Sequence, residues 1–145
     1  MNKIIGLASD HAGFELKQFV KEYLISSGWK CHDFGTHNQD SCDYADYAHP
    51  LAAAIENGDF EFGIAICGSG NGINMTLNKH QKIRAALCWN SKLAQLAREH
   101  NNANILVLPA RFIEIADAKS IVNKFLNGEF EGERHTKRIA KIPIL

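Results

Sequence analysis

The stretch from Gly63 to Lys79, GIAICGSGNGINMTLNK, carries a thiol to the lip of a glycine-rich turn. A run of small and apolar residues ends at Cys67, the turn Gly68-Ser69-Gly70-Asn71-Gly72 follows, and a helical pattern then begins. Glycines let backbone N–H groups come close to a ligand. A helix start adds unpaired donors and a positive dipole end. Such surroundings stabilise a thiolate, which can then act as base or nucleophile. By itself the turn also fits a tight strand-to-helix connection without a ligand. It is not the GxGxxG dinucleotide pattern, and it lacks the GK[ST] ending of a P-loop.

Three further groups could do chemistry. Asp10-His11 follows the apolar run Ile4–Ser9. The plain reading is that Asp10 caps a helix beginning near Gly13–Phe14. Arg134 and Arg138 are spaced i, i+4, so on a helix they are neighbours and could share an anion. Lys137 and Lys141 have the same spacing, which fits a solvated basic tail equally well. His100-Asn101 ends a helical segment from Ser91 that is roughly 15 Å long at 1.5 Å per residue. That end lies on the far side from the strand tips of an α/β unit. His100 is therefore a C-terminal cap residue, or it serves a neighbouring subunit.

The remaining cysteines look structural: Cys31 and Cys88 as small core hydrophobes and Cys42 as a loop thiol. No CxxC pair is present, which argues against a zinc ribbon or a thioredoxin-type motif. Lys plus Arg and Asp plus Glu each number 16 in the 145 residues, so no net positive field recommends nucleic acid or an anionic membrane. The N-terminal apolar stretch is too short for a signal sequence, and no run reaches membrane-spanning length. These features imply a cytoplasmic chain with reduced thiols.

The elements that must position these residues alternate. Apolar runs at Ile4–Ser9, Trp29–Phe34, Phe62–Ile66, Arg84–Cys88 and Ile105–Pro109 read as five strands. Leu16, Phe19, Val20, Tyr23 and Leu24 form one helix face, as do Ala118, Ile121, Val122, Phe125 and Leu126. Helices are also expected around Ala48–Ile55, Asn71–Asn78 and Ser91–Asn101, with a short one in the tail. Strands alternating with helices imply an α/β fold. We expect a single doubly wound (Rossmann-like) domain over residues 1–145, with a five-stranded parallel sheet in the order 2-1-3-4-5 and helices on both faces. Ligands of such sheets bind beyond the strand tips where the winding reverses. Here that point lies between the first and third strands, where Asp10-His11 and Cys67–Gly72 would converge.

Together, IIGLASDHAGFELK, ICGSGNGINMTLNK, AQLAREHNNANILVLPAR and GERHTKRI resemble the type B ribose-5-phosphate isomerase family, which includes galactose-6-phosphate isomerase subunits. The resemblance covers nearly the whole chain, with the motifs in family order. It implies a cofactor-free, metal-free aldose–ketose isomerase of the pentose phosphate pathway, interconverting D-ribose 5-phosphate and D-ribulose 5-phosphate through an enediolate. It also implies a homodimer or homotetramer with sites between subunits and a tail from about residue 129 that completes the site or the dimer.

By the same resemblance, Cys67 is the base, while His100 and Asp10 assist ring opening. Ser69, with Gly68, Gly70, Asn71, Gly72 and Asn74, forms the cradle of the enediolate. His11, Arg134 and Arg138 hold phosphate, with Asn101, Arg111 and Tyr44 as further binding residues. A family branch without this cysteine uses a glutamate a few residues on, but Ile73 stands near that place here. The alternatives are an isomerase of a six-carbon sugar phosphate (allose 6-phosphate, or galactose 6-phosphate with a second subunit type) and a non-catalytic binding module on the same fold.

Overall fold

The computed structural model describes residues 3–144. Its strands are β1 (Ile4–Ser9), β2 (Lys30–Asp33), β3 (Phe62–Cys67), β4 (Ala85–Leu87) and β5 (Ile105–Pro109). Its helices are α1 (Phe14–Ser26), α2 (Tyr44–Glu56), α3 (Asn71–Leu77), α4 (Ser91–Asn101), α5 (Ile115–Asn127) and α6 (Arg134–Ile139). All strand pairs are parallel. Apart from Ser9 at the end of β1, the three inner strands are apolar, because helices cover both of their faces. Leu16, Val20, Ala94, Ala97, Ile121 and Phe125 of α1, α4 and α5 pack on Leu7, Ile66 and Leu108. On the other face, Leu51, Ile55, Ile73 and Leu77 of α2 and α3 pack on Ala8, Ala65 and Val107.

The strand order is β2-β1-β3-β5-β4, which corrects the expected 2-1-3-4-5 at its last two places. The physical reason lies in the two segments. β5 reads ILVLP and is buried along its whole length, whereas β4 is three residues long and only half-buried. A continuous apolar run belongs between neighbours, and a short strand of small residues suits an edge. The chain therefore skips one place to lay down β4, and α4 brings β5 back into the gap. The reversal between β1 and β3 is unaffected, with Ser9 opposite Ile66 in the ladder.

Helix α2 begins at Tyr44, before the apolar pattern that announces it, and runs through Pro50. Its early start brings Tyr44 to the glycine turn. Helix α4 is capped by Asn90, whose side chain accepts from the Leu93 N–H at 2.9 Å. At its other end Asn102 turns left-handed (φ 47°). Arg98 fixes this exit by donating to Asn102 Oδ1 at 2.9 Å and to the Ala103 carbonyl at 2.7 Å. The tail returns as α6 and packs on α4.

Candidate active site

Cys67 is the last residue of β3 and is 4% exposed. Its carbonyl accepts from the Ala110 N–H at 3.0 Å, so the tip of β5 is tied to it. Gly70 has φ +79°, a left-handed conformation that lets the chain turn from strand to helix within three residues. Asn71 opens α3, and its N–H donates to Ser69 Oγ at 3.2 Å. The Tyr44 ring lies where a Cβ on residue 72 would stand, so only glycine lets α2 close over the turn there. Asn74 lies one turn into α3, with its Oδ1 buried and unpartnered. Arg111 donates its backbone N–H to the Gly68 carbonyl at 3.0 Å and lays its guanidinium along Gly68.

From β1 the chain delivers Asp10 and His11 to the same edge. The Asp10 N–H donates to the Ile66 carbonyl at 3.3 Å, one residue before Cys67. The buried Asp10 carboxylate accepts from the Gly13 N–H at 3.1 Å, so it caps the turn into α1. His11 Nδ1 accepts from the Cys42 N–H at 3.2 Å. In the neutral ring that leaves Nε2 as the protonated donor.

A fully buried lysine supports this loop from below. Lys17 Nζ donates to Asp33 at 2.5 Å and to the Thr36 carbonyl at 2.7 Å. Residues 35 and 36 in turn exchange backbone hydrogen bonds with Ser9 at 2.8 Å. Burial pushes the Asp33 carboxyl up, but Lys17, the Gly35 N–H and Lys21 outweigh it and hold it below the carboxylate range. Burial likewise depresses Lys17, with Asp33 partly offsetting it. Sequence reasoning missed this pair. The available signal was a lysine in register with Val20 and Leu24 on the apolar stripe of α1.

The cysteines separate as expected from their settings. Burial pushes the Cys88 thiol up to about 12 and raises Cys31, as suits core residues. Cys42 sits beside His11, 3.9 Å from its Nδ1.

His100, Asn101, Arg134 and Arg138 form a second group, on the α4 end and α6. The His100 ring stacks on His135 at 4.3 Å between centroids and 14° between planes. Glu131 Oε1 lies 3.7 Å from His100 Nε2 and 3.8 Å from His135 Nε2. Burial, then Arg134, His100 and Arg138, hold His135 below the ordinary imidazole range. The Asn101 carbonyl accepts from Arg84 Nε at 3.0 Å, which anchors the helix end. Among the described residues, the ring and charge contacts of His100 are with Glu131 and His135, and none is with Cys67, Ser69 or Asp10. Glu131 and His135 were also missed by sequence reasoning, although their i, i+4 spacing around Arg134 was a usable signal.

The family model described as Ribose/Galactose Isomerase matches residues 5–142. The chain belongs to this family. Among curated relatives, ribose-5-phosphate isomerase B of Escherichia coli is 39% identical over 140 residues, covering 97% of this chain and 94% of that protein. A probable ribose-5-phosphate isomerase B of Mycoplasma pneumoniae is 44% identical over 143 residues, covering 98% and 94%. The crystal structure of a ribose 5-phosphate isomerase from Thermotoga maritima superposes with a TM-score of 0.97 at 47% identity, over the full length of both chains. The Mycoplasma genitalium ribose-5-phosphate isomerase B, solved with bound ribulose-5-phosphate, has a TM-score of 0.91 at 41% identity and covers 96% and 93%.

Proposed function

We propose that this chain is an aldose–ketose isomerase interconverting D-ribose 5-phosphate and D-ribulose 5-phosphate. The observation that carries the reading is the Cys67 thiol at the tip of β3, set between the glycine turn and the Asp10 loop. The relative with ribulose-5-phosphate bound shares this fold and 41% of its aligned residues.

In this reading Cys67 takes the proton from C2 of the open-chain aldose and returns it to C1, while the hydroxyl proton moves from O2 to O1. Negative charge builds on oxygen in between. The Gly68–Gly72 amides, Ser69 and Asn74 form a cradle for that charge, and one preorganised donor of this kind is worth roughly 2.7–4 kcal/mol. Asp10 and His100 assist ring opening. His11, Arg134 and Arg138 hold phosphate, with Tyr44, Asn101 and Arg111 as further substrate-binding residues. Phosphate binding there supplies orientation, while the cradle acts on the transition state.

The two groups of residues fit one reaction when a second copy of the chain brings its His100 end to the Cys67 loop. The active enzyme is then a homodimer, or a tetramer of paired dimers, with the tail from about residue 129 completing its neighbour's site. Exposed apolar side chains at the strand-tip end support this arrangement. Trp89, Phe112 and Ile115 are 56%, 73% and 56% exposed, and Phe112 adjoins Arg111. Among the described residues no helix is long and apolar enough to cross a membrane, and a cytoplasmic role in the pentose phosphate pathway fits this chemistry.

The test is isomerisation by the purified chain alone, with ribose 5-phosphate and allose 6-phosphate side by side, with and without EDTA. The expected result is a preference for ribose 5-phosphate that survives EDTA. Turnover of neither sugar would overturn the reading.

A further inference from the structure

His49 and His80 form a second histidine pair, away from both groups above. His49 lies on α2, and His80 lies in the turn that leaves α3. His49 Nδ1 and His80 Nε2 approach to 2.7 Å, with the rings tilted by 53°. On its far side, His80 Nδ1 meets Glu56 Oε1 at 3.0 Å. Glu56 is itself held, since its Oε2 accepts from the Lys82 N–H at 3.1 Å. Glu56 Oε1 accepts from His80 Nδ1, which leaves Nε2 as the unprotonated nitrogen of the neutral ring. The His80 Nε2 lone pair is then directed at His49.

From this arrangement we infer that His49 and His80 bind a divalent late transition-metal ion such as Zn2+, with Glu56 orienting the His80 ring from behind. A carboxylate behind the ring is the usual support of a metal-ligating histidine, fixing both its tautomer and its direction. In the contact as it stands the His49 Nδ1–H donates to that lone pair, and in the other neutral tautomer of His49 both nitrogens offer a lone pair, so the ion takes the place of the shared proton. Tetrahedral zinc at about 2.0–2.1 Å from each nitrogen needs them roughly 3.3 Å apart. The pair must therefore open by about half an ångström, and His49 is on the surface and free to yield. The other coordination positions face solvent. A bound ion would join α2, which carries Tyr44, to the segment after α3, which follows the glycine turn. The His100–Glu131–His135 group also brings three donor atoms within 4.8 Å of one another. Its histidine rings stack on each other at 4.3 Å between centroids, and its carboxylate, Glu131, is exposed. The inference does not rest on the isomerase reading.

The experiment is calorimetric titration of EDTA-stripped, dialysed protein with Zn2+, repeated on His49→Ala, Glu56→Gln and Glu131→Gln. We expect one Zn2+ per chain in the parent, loss of that binding in His49→Ala, affinity about 10–100-fold weaker in Glu56→Gln, and no change in Glu131→Gln. The parent's Tm should rise with Zn2+ concentration, while that of His49→Ala should not. Metal-free turnover of His49→Ala should equal the parent's, which also shows that the variant is folded. Absence of Zn2+ binding to the parent would overturn the inference and leave a hydrogen-bonded pair. Binding that survives His49→Ala, or that disappears in Glu131→Gln, would overturn it by placing the ion elsewhere.

Discussion

The Cys67 loop and the His100 end of α4 are built by different means. The first stands on the tips of two central strands, and its reactive groups are held by backbone. Asp10 bonds to the β3 carbonyl at Ile66, Cys67 is tied to β5, and a buried Lys17–Asp33 pair sits beneath. Its left-handed turn falls on Gly70, where the conformation is cheap. The second is assembled from side chains on a helix end and a six-residue helix. His100 is stacked on one ring and near one exposed carboxylate. The tail enters α6 through Glu133 at φ +52°, a conformation that costs a non-glycine residue about 1–3 kcal/mol. The loop is held by backbone hydrogen bonds and a buried ion pair. The helix end carries exposed arginines and is held by side-chain contacts.

The sharpest way to break this comparison is to separate the halves. Cys67→Ala alone should lower kcat by about 10²–10⁴-fold with an unchanged far-UV spectrum, and His100→Asn should also be severely impaired. If each site takes one group from each subunit, unfolding and refolding the two variants together should restore about a quarter of parental activity, through hybrid dimers with one intact site. Activity no higher than that of the separate variants would place both groups in one chain.

The next effect tests the ion pair beneath the loop. Lys17→Met leaves the buried Asp33 with the more exposed Lys21, 3.5 Å away, as its cation and should destabilise the fold by about 3 kcal/mol, read by urea denaturation. Because Asp33 is depressed in the folded state, the stability it contributes is present above about pH 4 and is lost as pH falls through the depressed value. A variant as stable as the parent would deny the pair its supporting role.

At the other group the expected effects are smaller. Arg138→Ala should raise KM more than it lowers kcat, since phosphate binding is uniform between ground and transition state. An unchanged KM would remove Arg138 from the phosphate site. The smallest effect concerns the tail. Glu133→Gly should relieve the positive φ and raise Tm slightly, by no more than about 1 kcal/mol in stability. A lower Tm would mean that the Glu133 side chain has a use that outweighs the strain.

Much of the first region was legible in the sequence, because its signals are local. Apolar runs of five or six residues mark the inner strands, and Gly68, Gly70 and Gly72 mark a turn that other residues would obstruct. Alternation and crossover handedness narrow the orders to a few, among them the expected one with its β1–β3 reversal. The placement of β4 and β5 was not legible in the same way. Both orders use identical local elements, and the choice depends on how much burial each strand can accept. Lys17 was hidden for a related reason. A lysine within an amphipathic helix looks like a surface residue until β2 and the Thr36 carbonyl surround its ammonium group. His135 and Glu131 acquire meaning only when α6 folds back on α4.

By itself, then, the sequence determined the α/β class and the assignment of its candidate residues to strand tips, turns and helix ends. These depend on periodicity and residue type along a few consecutive positions. Tertiary structure alone decided the sheet order, the buried ion pair beneath the Asp10 loop and the stacking of His135 on His100. Each of those depends on contacts between residues distant in the chain, whose energies come from burial and charge pairing that no local pattern encodes.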